Sequence, residues 1–307
     1  MKSLIHSFSV LILFSIFQIS VYSQCGCGGA AIGGITPVGG TSNLGLLKKH
    51  NFRANIFYSY SYGKDYYHND IPIPPGEIRY FSSNYLDILL GYGVTEKLTI
   101  DANIGYFLDK TQDFYYAKYS DNGFSQAIIY AKYNVLRSRA NEIELTLGLG
   151  GKIPLGAAKD SVPQHIQPTT GAFGVAFQAF LHKGYEDFGL HFILLSRFDY
   201  NAANKNDYQY GMSFVNSIFV TKSLFDIFTF IFEFRTETRL RDAQKGELNK
   251  DSGGTMLSIT PQLNYSFRNI NISLLSDYPI YKFLFGNQLS KDYLIGINFT
   301  WQINLEN

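Results

Sequence analysis

Apolar and polar residues alternate one for one along much of this chain, and no other feature limits its fold so tightly. Successive side chains of a β-strand point to opposite faces, so each alternating run is a strip with one apolar and one polar side. Between Leu98 and Tyr106, the residues Leu98, Ile100, Ala102, Ile104 and Tyr106 interleave with Thr99, Asp101, Asn103 and Gly105. Ile143, Leu145, Leu147 and Leu149 likewise oppose Glu144, Thr146, Gly148, Gly150 and Lys152. In the last third, Leu257, Ile259, Leu263 and Tyr265 oppose Ser258, Thr260, Gln262 and Asn264. The run Ile295, Ile297, Phe299, Trp301 and Ile303 then opposes Gly296, Asn298, Thr300 and Gln302.

The pattern predicts strands near 50–62, 80–92, 96–108, 124–136, 141–153, 169–182, 186–199, 208–221, 224–236, 254–267, 269–280 and 290–304. Short turns at 93–95, 137–140, 183–185, 222–223 and around Arg268 alternate with polar loops at 63–79, 109–123, 154–168, 201–207, 237–253 and 281–289. Bacterial outer-membrane barrels pair short periplasmic turns with longer outer loops in this way. A soluble sandwich also alternates, because one face packs on a core, but it has no reason to sort its loops. The expected fold is therefore all-β: a transmembrane antiparallel up-and-down β-barrel of about 12 strands over residues 50–307.

The start of the chain agrees with export. Lys2, an apolar run from Val10 to Phe17 and small or polar residues at Val21, Tyr22 and Ser23 have the order of a signal peptide over 1–23. That apolar run is much shorter than the roughly 20 residues of a membrane helix, and the later stretch from Leu224 to Phe234 is broken by Asp226 and Glu233. Residues 24–49 are Gly-rich without strand pattern, and read either as a disordered leader or as a plug folded into the barrel from its periplasmic mouth. Aromatic residues reach 16% and charged residues only 17%, against roughly 25% charged in soluble domains. A net charge of +1 without a basic block excludes phosphate-backbone recognition, so no nucleic-acid partner is expected.

If the apolar faces meet lipid, the opposite faces line a lumen containing Asp87, Asp101, Lys132, Glu144, Lys152, His191, Arg197, Asp199, Glu233, Arg235 and Asp277. Both signs are present. A self-neutralising network that fills a narrow interior is one reading, and charged groups that select what passes are the other. Eight strands are filled by side chains and sixteen leave an aqueous channel, so about twelve implies a constricted lumen. Cys25 and Cys27 are the only cysteines. They read as a weak soft-metal pair, a strained disulfide, a lipid-anchor site disfavoured by Gln24, or thiols without a dedicated role. No catalytic constellation emerges: six His include no Ser-His arrangement at a recognisable spacing, and no cofactor motif is present. Expected partners are outer-membrane lipid, lipopolysaccharide and a small solute. The alternatives to a channel are a structural or partner-binding barrel with a closed lumen and a membrane-boundary lipid hydrolase.

Three stretches carry a family resemblance: Tyr92-Gly93-Val94-Thr95-Glu96-Lys97-Leu98, Gly123-Phe124 leading to Ala131-Lys132-Tyr133, and Gly150-Gly151-Lys152-Ile153-Pro154-Leu155-Gly156. Together they resemble the MetA-pathway of phenol degradation family, related to long-chain fatty acid and aromatic hydrocarbon transporters. Ser125-Gln126 stands where that family often has Gly-Asp, and the chain closes on Leu305-Glu306-Asn307 rather than an aromatic. The resemblance implies an outer-membrane transporter of small hydrophobic or aromatic solutes.

Overall fold

A computed structural model describes residues 45–138, 140–159, 163–225 and 227–305. The expected signal peptide, most of the Gly-rich leader, and Cys25 and Cys27 lie outside these residues.

Strands form where the alternation runs. They are β1 (Asn51–Gly63), β2 (Tyr66–Asn69), β3 (Ile71–Ile73), β4 (Ile78–Gly93), β5 (Leu98–Phe114), β6 (Lys118–Ser138), β7 (Ile143–Pro154), β8 (Gly174–Tyr185) and β9 (Leu190–Asn201). Then follow β10 (Tyr208–Gln209), β11 (Ser213–Leu224), β12 (Phe228–Arg239), β13 (Ala243–Gln244), β14 (Glu247–Leu248), β15 (Gly254–Phe267), β16 (Ile270–Leu289) and β17 (Tyr293–Asn304). Twelve of these pair antiparallel with their neighbours, and β1 pairs with β17 from Asn51↔Asn304 to Tyr62↔Tyr293, which closes the cylinder. Closure removes the sheet edges that hydrocarbon could not hydrogen-bond.

The two faces divide as the alternation demands. On β7, Glu144, Thr146 and Lys152 are buried while Leu149 and Ile153 are exposed. Ile56, Leu90, Ile129, Val175, Ile218, Leu263, Leu274 and Ile297 continue the exposed apolar band around the outside. So broad an apolar surface needs lipid rather than water beside it. Aromatic girdles edge the band: Tyr62 stacks on Tyr80 and Tyr293 at the long-loop end, and Phe52 meets Trp301 at the short-turn end. The short turns reverse tightly through left-handed residues, Glu142 (φ 49°), Gly189 (φ 55°), Phe225 (φ 54°) and Arg268 (φ 53°), the backbone sense that matches strand twist in a hairpin. The barrel is that of an outer-membrane protein.

Some boundaries differ from the sequence expectation. Residues 109–123 and 281–289 were expected as loops, yet β5, β6 and β16 run through them, with pairs such as Lys110↔Asp121 and Gln112↔Tyr119. In the β5 and β6 extensions polar residues occupy both faces, and in β16 Phe283, Leu284 and Phe285 follow one another, so the alternation signal vanishes in both. The strand expected from 169 begins at Gly174 instead. The loop before it turns inward, burying Ile166 and Ala172, and Lys110 Nζ donates to the Gln167 carbonyl at 2.9 Å. The loops at 202–212 and 240–253 are tied by the small sheet β10-β13-β14.

Candidate functional site: the barrel lumen

Pairing register places the inward-facing charges in three clusters. Asp101 on β5 receives Lys132 of β6 at 2.5 Å and Arg53 of β1 at 3.6 Å. Asp199 on β9 receives Lys152 of β7 at 3.1 Å and Arg197 of its own strand through two hydrogen bonds of 2.7 and 2.9 Å. The fork of a guanidinium matches a carboxylate edge in this way. Across the lumen, Arg235 of β12 meets Glu233 at 3.3 Å, Glu237 at 2.8 Å and Asp277 of β16. Lys291, between β16 and β17, adds a 2.7 Å contact to Asp277, which also accepts from Thr260 at 2.7 Å.

The remaining candidates from the sequence have other settings. Asp87 accepts from Asn103 at 2.5 Å and from Tyr85 at 3.3 Å. Glu144 accepts from Thr146 at 3.2 Å. His191 is only half-buried, and its Nδ1 lies 3.1 Å from Nε2 of His182 with the rings stacked. His182 lies three residues inside the end of β8 and is buried. Other described histidine contacts go from His50 to Tyr92 and from His68 to Asn287. Nine of the eleven residues named from the sequence are buried, and Arg235 and His191 partly so; ten make ion pairs or hydrogen bonds with carboxylate, cation, hydroxyl or amide partners, and His191 lies against another imidazole.

Sequence reasoning missed a second lining. Phe180, Ile193, Leu195, Phe219 and Ile231 form a buried apolar cluster on the inward faces of β8, β9, β11 and β12. No alternation marks it, because both faces of these strands are apolar there: Leu194 and Leu195 are neighbours on opposite sides. Lys291 was missed because it falls within the strand expected over 290–304 at an odd position, the parity of Ile295 and Ile297 on the outer face, whereas β17 begins only at Tyr293. Arg53 was legible, since it alternates with Ala54 and shares a face with Asn55 and Ser59.

The described end of the leader enters this lumen. The Leu47 amide donates to Thr99 Oγ1 on β5 at 2.8 Å, and both residues are buried. Gly45 lies against the Phe180 ring on β8, so closely that a Cβ would sit 2.5 Å from it. β5 and β8 are separated in the wall by β6 and β7, so residues 45–47 cross the interior near the short-turn end. Leu46 and Leu47 are buried there.

Outside the membrane, Asp242 fastens the outer loops. It accepts from Tyr208 at 2.5 Å, from Arg239 at 2.5 Å and from the Gly211 amide at 2.7 Å. Burial, reinforced by the Asp242 charge, pushes the Tyr208 hydroxyl well above its ordinary value.

Residues 94–276 match the family described as "Putative MetA-pathway of phenol degradation". Among solved structures, the COG4313 outer membrane channel from Pseudomonas putida F1 superposes with a TM-score of 0.71 at 11% identity, covering 86% of this chain and 99% of that one. The CymD monoaromatic hydrocarbon channel (TM-score 0.44, 10% identity, 94% and 95% covered) and the translocator domain of the autotransporter NalP from Neisseria meningitidis (0.46, 10%, 81% and 88%) are more distant. The curated proteins contain no match to this sequence. The first superposition confirms the barrel fold.

Proposed function

The chain belongs to the MetA-pathway phenol-degradation family, and from that premise we propose that it is an outer-membrane channel for small hydrophobic or aromatic solutes. The observation that carries this reading is the apolar cluster of Phe180, Ile193, Leu195, Phe219 and Ile231 on the lumen side of the wall. Water-filled porins keep their interior polar. An apolar lining instead offers a hydrophobic solute a place where its contact with water is reduced, worth about 25 cal/mol for each Å² removed. The monoaromatic hydrocarbon named for CymD belongs to the same solute class.

In this reading residues 1–23 are removed on export and residues 24–49 fold back as a plug at the periplasmic mouth. The seating of Gly45 on Phe180 and of Leu47 on Thr99 supports the plug. The outer girdle around Tyr62 and Tyr293 would meet lipid headgroups and lipopolysaccharide. In proteoliposomes, the full chain is expected to admit phenol or toluene faster than glycerol, and removal of 24–47 to raise that rate several-fold. Absence of flux with either form contradicts the proposal. It would instead favour a closed structural or partner-binding barrel, the second reading, to which the near-complete burial of the inward side chains lends weight.

A further inference from the structure

Among the buried polar atoms of the described residues that lack a hydrogen-bond partner, two lie on neighbouring stretches of the same wall, on β6 and β8. The Tyr130 hydroxyl and the Gln178 carbonyl oxygen are unbonded among the described residues, although the two side chains are only 4% and 2% exposed. Leaving a buried polar atom without a hydrogen bond is costly, so each of these two atoms favours a further hydrogen-bonding partner.

The surroundings say what kind of molecule. Tyr130 of β6 lies flat on Gly150 of β7, where a Cβ would stand 2.8 Å from the ring. Its ring centroid is 5.9 Å from Lys132 Nζ and 6.0 Å from the Arg197 guanidinium. Gln178 pairs across the sheet with Arg197 on one side and Gly148 on the other. Lys132 and Arg53 share the single carboxylate of Asp101, and Lys152 and Arg197 share that of Asp199. Asp87, held by Asn103 and Tyr85, and Glu144 of β7 are further carboxylates on this side, so four cations stand with four carboxylates. It is the local pair of cations beside the Tyr130 ring, Lys132 and Arg197, that favours an anion there.

Immediately toward the short-turn end, the next inward residues on β8 and β9 are apolar. Phe180 follows Gln178 on β8, and Leu195 precedes Arg197 on β9; both belong to the apolar wall. A polar, cation-rich step therefore stands directly above a hydrophobic one.

We propose that this step binds a small aromatic monoanion, an arenecarboxylate. Its ring lies toward Leu195, beside the Phe180 ring that Gly45 covers, while its carboxylate accepts from Tyr130, with Arg197 and Lys132 offsetting the charge. Gln178 presents its NH2 group to the same carboxylate after an amide flip. This assignment rests on the reading of the lumen as the solute path and names the solute's polar end.

The test is equilibrium titration of the full barrel in detergent micelles with benzoate and, separately, with neutral benzyl alcohol. Benzoate is expected to bind at least tenfold more tightly. Tyr130→Phe should weaken benzoate about tenfold, and Gln178→Glu, which places a resident carboxylate in the site, should abolish it. Heat-modifiable migration on gels verifies that each variant is folded, and the wild-type comparison needs no variant at all. Equal affinity for the two probes, no benzoate binding, or unchanged affinity in folded Tyr130→Phe overturns the site. Selective benzoate binding together with a lack of solute flux would sustain the site and refute the channel.

Discussion

The two charged walls of the lumen use the same residue types in opposite proportions. On the side of β1 and β5 to β9, two carboxylates, Asp101 and Asp199, each hold two cations. On the side of β12 and β16, two cations, Arg235 and Lys291, are surrounded by Glu233, Glu237 and Asp277. The first set of pairs thus has more cations than acids, and the second more acids than cations. Each carboxylate on the first wall is without a substitute, whereas the second wall has acids to spare and depends on its cations.

That asymmetry orders the expected effects of substitution. Asp199→Asn strands two buried cations and should cost about 3 kcal/mol or more, read by urea unfolding in lipid vesicles. Asp277→Asn should cost roughly half as much, because Glu233 and Glu237 remain to hold Arg235 and Lys291. Equal losses would break the comparison.

Among the cations the order reverses. Lys291→Met leaves three carboxylates on Arg235 alone and should cost about 2 kcal/mol, whereas Lys132→Met leaves Asp101 with Arg53 and should cost about 1 kcal/mol. Both should shift the reversal potential in planar bilayers toward cation preference. A shift confined to one variant would show that the walls do not share one field.

Leu47→Ala, comparable to the loss of Lys291, removes a fully buried contact of the leader and should cost about 2 kcal/mol at its seat. The expected readout is faster proteolysis of the leader in an otherwise intact barrel.

The smallest effect belongs to the balanced pair outside the membrane. Tyr208→Phe removes one bond to Asp242 and should cost about 1 kcal/mol. The Tyr208 hydroxyl is raised in the folded protein, so its contribution is complete below the ordinary tyrosine value near 10. It is lost as pH climbs through the folded value. The outer loops of the wild type should therefore loosen in strong alkali, and the Phe variant should lack that dependence.

Much of this architecture was written in the chain. Where lipid lies on one face and polar groups on the other, as in Leu98 to Tyr106, period two is unmistakable, and it brought Asp101, Lys152 and Asp277 to the inner face together. The signal fails wherever the two faces are chemically alike. On β8 to β11 both are apolar, which hid Phe180 and Phe219; on the extensions of β5 and β6 both are polar, and on that of β16 the run Phe283, Leu284 and Phe285 is apolar on both, which hid all three. Residues 45–47 lack any period, because a segment crossing the lumen is positioned by single contacts, the Thr99 hydroxyl and the Phe180 ring. Cluster membership depends on register between strands distant in sequence, such as β1 with β17, and on connections such as the one carrying Lys291. Alternation encodes neither.

The channel account stands or falls most directly on solute flux through the barrel with and without its leader. Phenol uptake into proteoliposomes is predicted to be measurable for the full chain and several-fold faster once residues 24–47 are removed, with glycerol uptake rising less. Identical phenol rates in protein-free, full-length and shortened preparations would contradict it.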